Sequence, residues 1–207
     1  MTHTLRSIAF AGFTILSAVA APQVFDFEDP KGVNAVQFTL DSVLEPIAGT
    51  ASDVAGKVTF DLANVAATQG KIAVETDSLK TSNSTMTEHL LSAGWVDAEK
   101  HPEISFAFTK LDDVKPAGDN RWSATANGDF TLKGVTKSIS VPVTLTYLPG
   151  AFGKRINKPE LPGDLLVVRG AFSIERADYG IKPGQNEDKV SPSIQLTFAL
   201  VGGPEKK

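Results

Sequence analysis

The 207-residue chain is long enough to form one domain of ordinary size with a hydrophobic core. Hydrophobic residues make up 42% of the sequence and charged residues 21%, which is typical of a globular protein with a water-exposed surface. Cysteine is absent, which excludes disulfides, thiolate metal sites and a cysteine nucleophile. The formal net charge of −4 argues against nucleic-acid binding driven by charge.

The first twenty residues have the pattern of an export signal. Arg6 gives a weakly basic start, an apolar run follows, and Ala18-Val19-Ala20 fits the small-residue cleavage rule. The run is short for a membrane span, which needs about 20 apolar residues, and an uncleaved anchor is the alternative. We therefore predict a signal-peptide helix over residues 1–20 and a mature domain over residues 21–207. That domain is expected in the periplasm or outside the cell, without a stable membrane span.

Apolar and polar residues alternate repeatedly along the mature chain, as is typical of strands with one buried face and one wet face. About eight such strands with short connections predict an all-β fold, either an antiparallel barrel or a sandwich. The alternating segments are 36–41, 57–62, 71–75, 104–108, 122–132, 139–147, 168–174 and 194–200.

One short helix is predicted to interrupt the strands. Thr85 and Glu88 have the spacing of a capping box, which predicts that Thr85 is the N-cap. Leu90 and Leu91 give the helix an apolar face, and Gly94 is expected to end it. A short helix among strands is expected to cover the open end of the sheet or barrel.

A second unusual connection runs from Leu148 to Asp164 and is rich in proline and glycine. It carries Lys154, Arg155 and Lys158 in an otherwise acidic protein. Long loops often serve as lids or portals, so this segment is either a functional portal or an ordinary solvated loop.

Motifs for catalysis and metal binding are missing. The sequence contains no nucleophile elbow, phosphate-binding loop or Ser-His-Asp signature. His89 and His101 lack the spacing of a zinc-binding helix, so no metal site is expected. Arg176 and Asp178 lie on one face if their segment is extended. We expect an ion pair between them, because the acid needs a partner; the alternative is that Arg176 binds a phosphate or carboxylate head group.

Three motifs occur in order along the mature chain. They are His89-Leu90 and Ser92-Ala93 with Pro102 and Phe106, then Gly128-Asp129-Phe130-Thr131-Leu132-Lys133-Gly134-Val135-Thr136-Lys137, and then Arg176-Ala177-Asp178-Tyr179-Gly180-Ile181. Together they resemble the YceI-like family of exported bacterial lipid-binding proteins. The resemblance implies an eight-stranded, lipocalin-like antiparallel barrel with one short lid helix. It also implies an apolar interior that holds one polyisoprenoid or another long-chain amphiphile, with no cofactor.

The chain departs from the family pattern at two places. Val33 and Ser42 stand where members often carry histidines, and Met86 and Thr87 stand where they often carry an Arg-Asp pair. These departures concern the polar contacts to a ligand head group and leave the expectation of a barrel unchanged.

The inward-facing positions of the strands are expected to line the ligand tunnel. These expected tunnel residues are Val36, Phe38, Phe60, Val74, Phe106, Phe108, Trp122, Ala124, Ala126, Phe172 and Phe198. The head group is expected near a set of polar residues, namely Asn83, His89, Lys154, Arg155 and Arg176. The sequence thus predicts a non-enzymatic binding or carrier protein for a long-chain lipid. The alternatives are a structural or interaction barrel of the cell envelope with a filled core, and a hydrolase whose catalytic residues meet only in space.

Overall fold

The computed structural model describes residues 21–205, so the signal peptide predicted over residues 1–20 lies outside the described part. The strands are β1 (Gln23–Asp26), β2 (Val36–Asp41), β3 (Pro46–Ala51), β4 (Val54–Phe60), β5 (Gln69–Glu75), β6 (Leu79–Thr81), β7 (Glu103–Gly118), β8 (Arg121–Leu132), β9 (Val135–Leu148), β10 (Leu165–Glu175) and β11 (Ser193–Pro204). The helices are α1 (Ser84–Leu91) and α2 (Phe152–Arg155), and 3-10 turns cover Val65–Ala67, Thr76–Ser78 and Arg176–Tyr179. No helix within residues 21–205 is long and apolar enough to cross a membrane.

Eight of the strands form a closed ring of antiparallel pairs, in the order β1-β4-β5-β7-β8-β9-β10-β11, and the pairing of β1 with β11 closes it. The predicted eight-stranded antiparallel barrel is therefore confirmed. The remaining strands β2, β3 and β6 extend the wall from β11, because β2 pairs with residues 195–198 of that strand. Closure leaves the ring without an unpaired edge along most of its length.

A buried asparagine holds the barrel together where β1 and β2 separate. Asn34 is buried, and its side-chain amide donates to the carbonyls of Phe27 and Val201 at 2.9 and 3.0 Å. Its Oδ1 accepts from the Val201 amide at 2.9 Å, so the side chain replaces a strand neighbour for β11. Asn34 thereby pairs with backbone groups of Val201 that lie beyond the residues of β11 paired with β2.

One end of the barrel is filled by aromatic side chains. Phe60 lies 5.7 Å from the ring of Tyr147, 5.8 Å from Trp122 and 6.3 Å from Phe25, measured between ring centroids. The Tyr147 hydroxyl donates to Asp164 at 2.6 Å, which ties this cluster to the loop after β9. We call these four aromatic residues the plug.

The opposite end of the barrel carries α1 and the segment 176–192. The pairing of β9 with β10 stops at Val143 and Gly170, so residues 135–142 of β9 have no partner on that side. Pro142 lies at this boundary. Proline has no backbone N–H, and at this position no hydrogen bond to β10 is lost as a result. Tyr179 in the segment 176–192 is buried, and its ring lies 5.7 Å from the ring of Phe130 on β8.

Helix α1 exists as predicted, but the predicted N-cap is wrong. The cap is Asn83, whose Oδ1 accepts from the Met86 amide at 3.0 Å, while Thr85 lies exposed inside the first turn. The Thr87 hydroxyl donates back to the Asn83 carbonyl at 3.1 Å and accepts from the Thr81 amide at 3.0 Å. These bonds fix the turn that leads into the helix.

Replacing Asn83 with alanine should therefore lower the free energy of unfolding by about 1 kcal/mol, because the helix loses its cap. The matched change Thr85→Ala removes an exposed hydroxyl that caps nothing, and its effect should stay within about 0.5 kcal/mol. Chemical denaturation of both variants measures the difference. Equal stability of the two variants would show that Asn83 does not cap α1.

Candidate functional site

The barrel contains an internal cavity of about 170 Å³ between the plug and α1. This is about ten times the space that one water molecule needs, whereas a filled core has few voids larger than a water. Among the described lining residues, Ser105 alone contributes a hydroxyl, and none is an acid, a histidine, a lysine or an arginine. Such a cavity matches an apolar ligand and offers nothing to a charged one.

Most of the expected tunnel residues line this cavity. They are Val36, Phe38, Val74, Phe106, Phe108, Ala126, Phe172 and Phe198. Several are paired across strands, as Ala126 is with Leu111 and Val141, so the wall is continuous from β7 to β9.

Phe60, Trp122 and Ala124 face inward as expected but do not line the cavity. Phe60 and Trp122 belong to the plug, and Ala124 follows two residues after Trp122 on the same strand face. The structure thus places these three expected tunnel residues outside the cavity, because the plug occupies one end of the barrel.

The cavity opens toward solvent beside α1. A depression of about 520 Å³ shares Phe38, Leu40, Leu90 and Trp95 with the cavity, and we call it the mouth. Its rim is more polar than the cavity, with Glu45, Thr81, Asn83, Thr85 and His89 among its residues. Two of the expected head-group residues, Asn83 and His89, therefore lie at the mouth.

Arg176 does not reach the mouth as a free cation, since its side chain is fully buried. The guanidinium donates to the carbonyls of Ser191 at 3.1 Å, Ile181 at 2.9 Å and Gln185 at 2.5 Å, and also to that of Lys182. These bonds fold the segment 181–192 around one side chain. Arg176 lines neither the cavity nor the mouth, so the expected head-group contact does not fit its position.

The expected ion pair between Arg176 and Asp178 is also wrong. Asp178 instead pairs with Lys137 at 3.0 Å on the surface. The 3-10 turn over Arg176–Tyr179 replaces the extended backbone that the spacing argument assumed, so the two side chains point apart.

The segment held by Arg176 forms one side of the mouth. Ile181 lines the cavity and Val190 lines the mouth. The Lys182 ammonium lies 5.7 Å from the centre of the Trp95 ring, and Ser42 Oγ donates to the Lys189 carbonyl at 2.6 Å. The segment is thus joined both to the residues after α1 and to the turn between β2 and β3.

The connection from Leu148 to Asp164 lies at the plug end, where Asp164 accepts from the hydroxyl of Tyr147. Arg155 forms a two-point ion pair with Asp29, at 2.6 and 2.8 Å, and both side chains are largely buried. Lys154 is exposed on α2 and lines neither the cavity nor the mouth. The expected head-group contacts of Lys154 and Arg155 therefore do not fit the position of the mouth.

The pair also sets the acid behaviour of Asp29. Burial acts to raise the pKa of this carboxyl, but hydrogen bonds from Arg155 and from the amides of Val33 and Lys31 outweigh it and lower the pKa from 3.8 to about 2. Because the folded pKa is depressed, the resulting stability is present above the unfolded pKa of about 3.9 and is lost as the pH falls through about 2.

Replacing Asp29 with asparagine should lower the free energy of unfolding at pH 7 by about 2 kcal/mol. The difference between wild type and variant should shrink between about pH 4 and pH 2, because the wild-type carboxyl then takes up its proton. Denaturation at several pH values measures this. A difference that stays constant down to pH 2 would mean that Asp29 does not supply the acid-sensitive stability.

Residues 21–205 contain no cluster of three or more histidine or acidic side chains placed to hold a metal ion. His89 is exposed in the last turn of α1, and no hydrogen bond of its ring to a described residue is found. Neither observation assigns a catalytic role to the mouth.

Several lining residues were not predicted. Trp95, Val96 and Ile181 line the cavity from connecting segments, and Phe27 does so just after β1. The alternation of apolar and polar residues predicts only strand positions, so it does not predict these residues. The apolar pair Trp95-Val96 after the helix was the one signal in the sequence, since large apolar residues outside a periodic element need a place to pack.

Comparison with known proteins gives consistent matches over nearly the whole chain. A family model described as YceI-like domain matches residues 29–202. A UPF0312 protein of Pseudomonas aeruginosa strain LESB58 is 30% identical over 207 residues, which cover 98% of each chain.

Two solved structures share the fold. BcnA of Burkholderia cenocepacia superposes with a TM-score of 0.63 at 22% identity, over 81% of this chain and 95% of BcnA. A polyisoprenoid binding domain from Saccharophagus degradans, implicated in plant cell wall breakdown, superposes with a TM-score of 0.63 at 10% identity, over 89% of this chain and 100% of that domain.

Proposed function

The chain belongs to the YceI-like domain family, as its three sequence motifs predicted, and we propose that it is a non-enzymatic binding protein for a polyisoprenoid or similar long-chain amphiphile. The single observation that carries the proposal is the apolar cavity, whose described lining offers one hydroxyl and no titratable side chain. The polyisoprenoid binding named for the Saccharophagus degradans domain, which has the same fold, supports this class of ligand.

The binding energy would come from burial of the chain. Each CH₂ group removed from water contributes about 0.8 kcal/mol, and no polar interaction along the cavity is needed to hold it. The plug sets the depth, so the chain end would lie toward Phe27, Leu145 and Leu200, with the polar end at the mouth. Asn83 and His89 are then the head-group residues of this proposal, together with Glu45, which also lines the mouth.

Absence of a reactive group in the cavity also favours binding over catalysis. A hydrolase needs a nucleophile or an activated water beside the substrate, and the described lining provides no base to activate either. The filled structural barrel is less favoured, since its interior would hold few voids larger than a water.

Export remains part of the proposal. The Ala18-Val19-Ala20 sequence supports cleavage before Ala21 and a periplasmic or secreted protein, which would be seen as a mature N-terminus at Ala21.

Equilibrium binding of a series of linear prenols and fatty alcohols tests the proposal. Affinity should rise about fourfold for each added CH₂ and then level off once the cavity is full. An affinity that levels off with chain length indicates a binding space of finite length. For adsorption to the outer surface, the affinity would continue to rise with each added CH₂ group. No binding at any chain length would contradict the proposal and favour the filled barrel.

A further inference from the structure

Two apolar side chains are exposed to solvent beside the mouth. Val43 is 96% exposed and Leu44 is 61% exposed, and they form the turn between β2 and β3. The next residue, Glu45, lines the mouth, so the apolar turn and the cavity entrance are continuous in the chain. We call Val43 and Leu44 the tip.

The tip is held firmly in this position. The Ser42 amide donates to the Glu45 carbonyl at 3.2 Å, and the Glu45 amide donates to Ser42 Oγ at 3.0 Å. The same Oγ donates to the Lys189 carbonyl at 2.6 Å, which fastens the turn to the segment 181–192. Exposing two apolar side chains on a fixed turn has no benefit for folding, and it suits a surface that meets an apolar phase.

The charges near the tip indicate which kind of lipid surface it could contact. The segments 41–46 and 182–189 contain four acids, Asp41, Glu45, Glu187 and Asp188, and two bases, Lys182 and Lys189. This acidic surround lacks the lysine and arginine excess that binds anionic lipids. It is compatible with a bilayer of little net charge.

We propose that the tip inserts into the headgroup region of a lipid bilayer of low net charge, and thereby sets the mouth against the membrane from which the ligand is loaded. This rests on the proposed function, because a long-chain ligand that scarcely dissolves in water needs a direct path from the bilayer to the cavity. Two side chains give weak, reversible contact, since interfacial binding scales with the apolar area that is buried.

The test measures loading of a fluorescently labelled long-chain prenol from two sources, phosphatidylcholine vesicles and detergent micelles. The variant Val43→Ser with Leu44→Ser removes the apolar tip. The matched control is Val33→Ser with Leu161→Ser, which removes a valine that is 62% exposed and a leucine that is 39% exposed, neither of which lines the mouth. Thermal melts of both variants check that folding is unchanged.

The tip variant should load from vesicles about tenfold more slowly than wild type, yet load normally from micelles, because only the first route needs the inserted apolar area. The control variant should match wild type on both routes. Replacing part of the phosphatidylcholine with phosphatidylglycerol should slow wild-type loading.

Equal vesicle rates for wild type and the tip variant would overturn the proposal, as would equal slowing by the control variant or faster loading from anionic vesicles. Wild type that loads from micelles but never from vesicles would overturn it in favour of a protein donor. A wild-type dimer that the tip variant converts to a monomer would overturn it in favour of a contact between copies. Wild type that loads from neither source would refute the proposed function itself, which separates the two failures.

Discussion

Replacing Ala126 with phenylalanine is expected to abolish retention of a long-chain probe while the barrel stays folded. Ala126 is 1% exposed and lines the cavity between Leu111 and Val141. The new ring would occupy space that is otherwise empty, so it displaces the ligand without displacing a neighbour. We expect the melting temperature to change little and the affinity for the probe to fall at least about tenfold, which corresponds to about 1.4 kcal/mol or roughly two buried CH₂ groups.

Ala124→Phe is the matched control. Ala124 is on the same strand face two residues earlier, is buried, and does not line the cavity. Ala124 instead lines another depression, of about 690 Å³, together with Pro142 and Thr144. The same ring at that position does not enter the cavity, so the affinity for the probe should stay close to that of wild type. If Ala124→Phe loses the probe as completely as Ala126→Phe, the loss does not report on the cavity.

Replacing Arg176 with methionine is expected to release the segment 181–192 and lower the free energy of unfolding by about 3 kcal/mol. The change removes the shared donor of four carbonyls and leaves them to find water. Because Ile181 and Val190 then lose their fixed positions at the cavity and the mouth, a bound probe should also dissociate faster. Denaturation, hydrogen exchange over residues 181–192 and a probe dissociation rate measure these effects.

Two further variants separate the hydrogen bonds from the charge. Arg176→Lys keeps the charge but loses the planar set of donors, so it should resemble Arg176→Met. Lys137→Met breaks the exposed pair with Asp178 in the same region and should cost less than about 1 kcal/mol. Unchanged hydrogen exchange over residues 181–192 in Arg176→Met would show that another group holds the segment.

The strands and their facing could be predicted because both follow from a period of two. Most apolar residues of the alternating segments, such as Val36 and Phe38 or Phe106 and Phe108, face the interior and line the cavity. Parity does not tell how far along the barrel axis a residue lies. For that reason Phe60 and Trp122 were expected in the tunnel and are instead in the plug.

The site residues that sequence reasoning misplaced depend on contacts that spacing cannot express. Arg155 and Asp29 are separated by 126 positions, and their pairing follows from barrel closure. Arg176 binds carbonyls 5 to 15 residues further along the chain, which requires the segment to fold back on itself. A rule for side chains two residues apart offers only Asp178 as a partner for Arg176.

The helix start shows a choice between two local rules. Thr85 with Glu88 fits a capping box, and Asn83 is by itself a strong N-cap residue. In the structure the helix follows the second rule and starts after Asn83. The Thr87 hydroxyl accepts from the Thr81 amide and donates to the Asn83 carbonyl, and these two bonds fix Asn83 at the N-cap position. Such a turn is a tertiary feature of the connection from β6.

Native mass spectrometry of the protein, purified without detergent from a bacterial host, tests the central claim most directly. A ligand held by burial along the cavity should survive purification, since many CH₂ groups at about 0.8 kcal/mol each keep it in place. The account predicts one long-chain amphiphile per chain, and its loss from Ala126→Phe. Protein that shows only its own mass, both as purified and after incubation with long-chain prenols, would contradict a lipid-binding cavity.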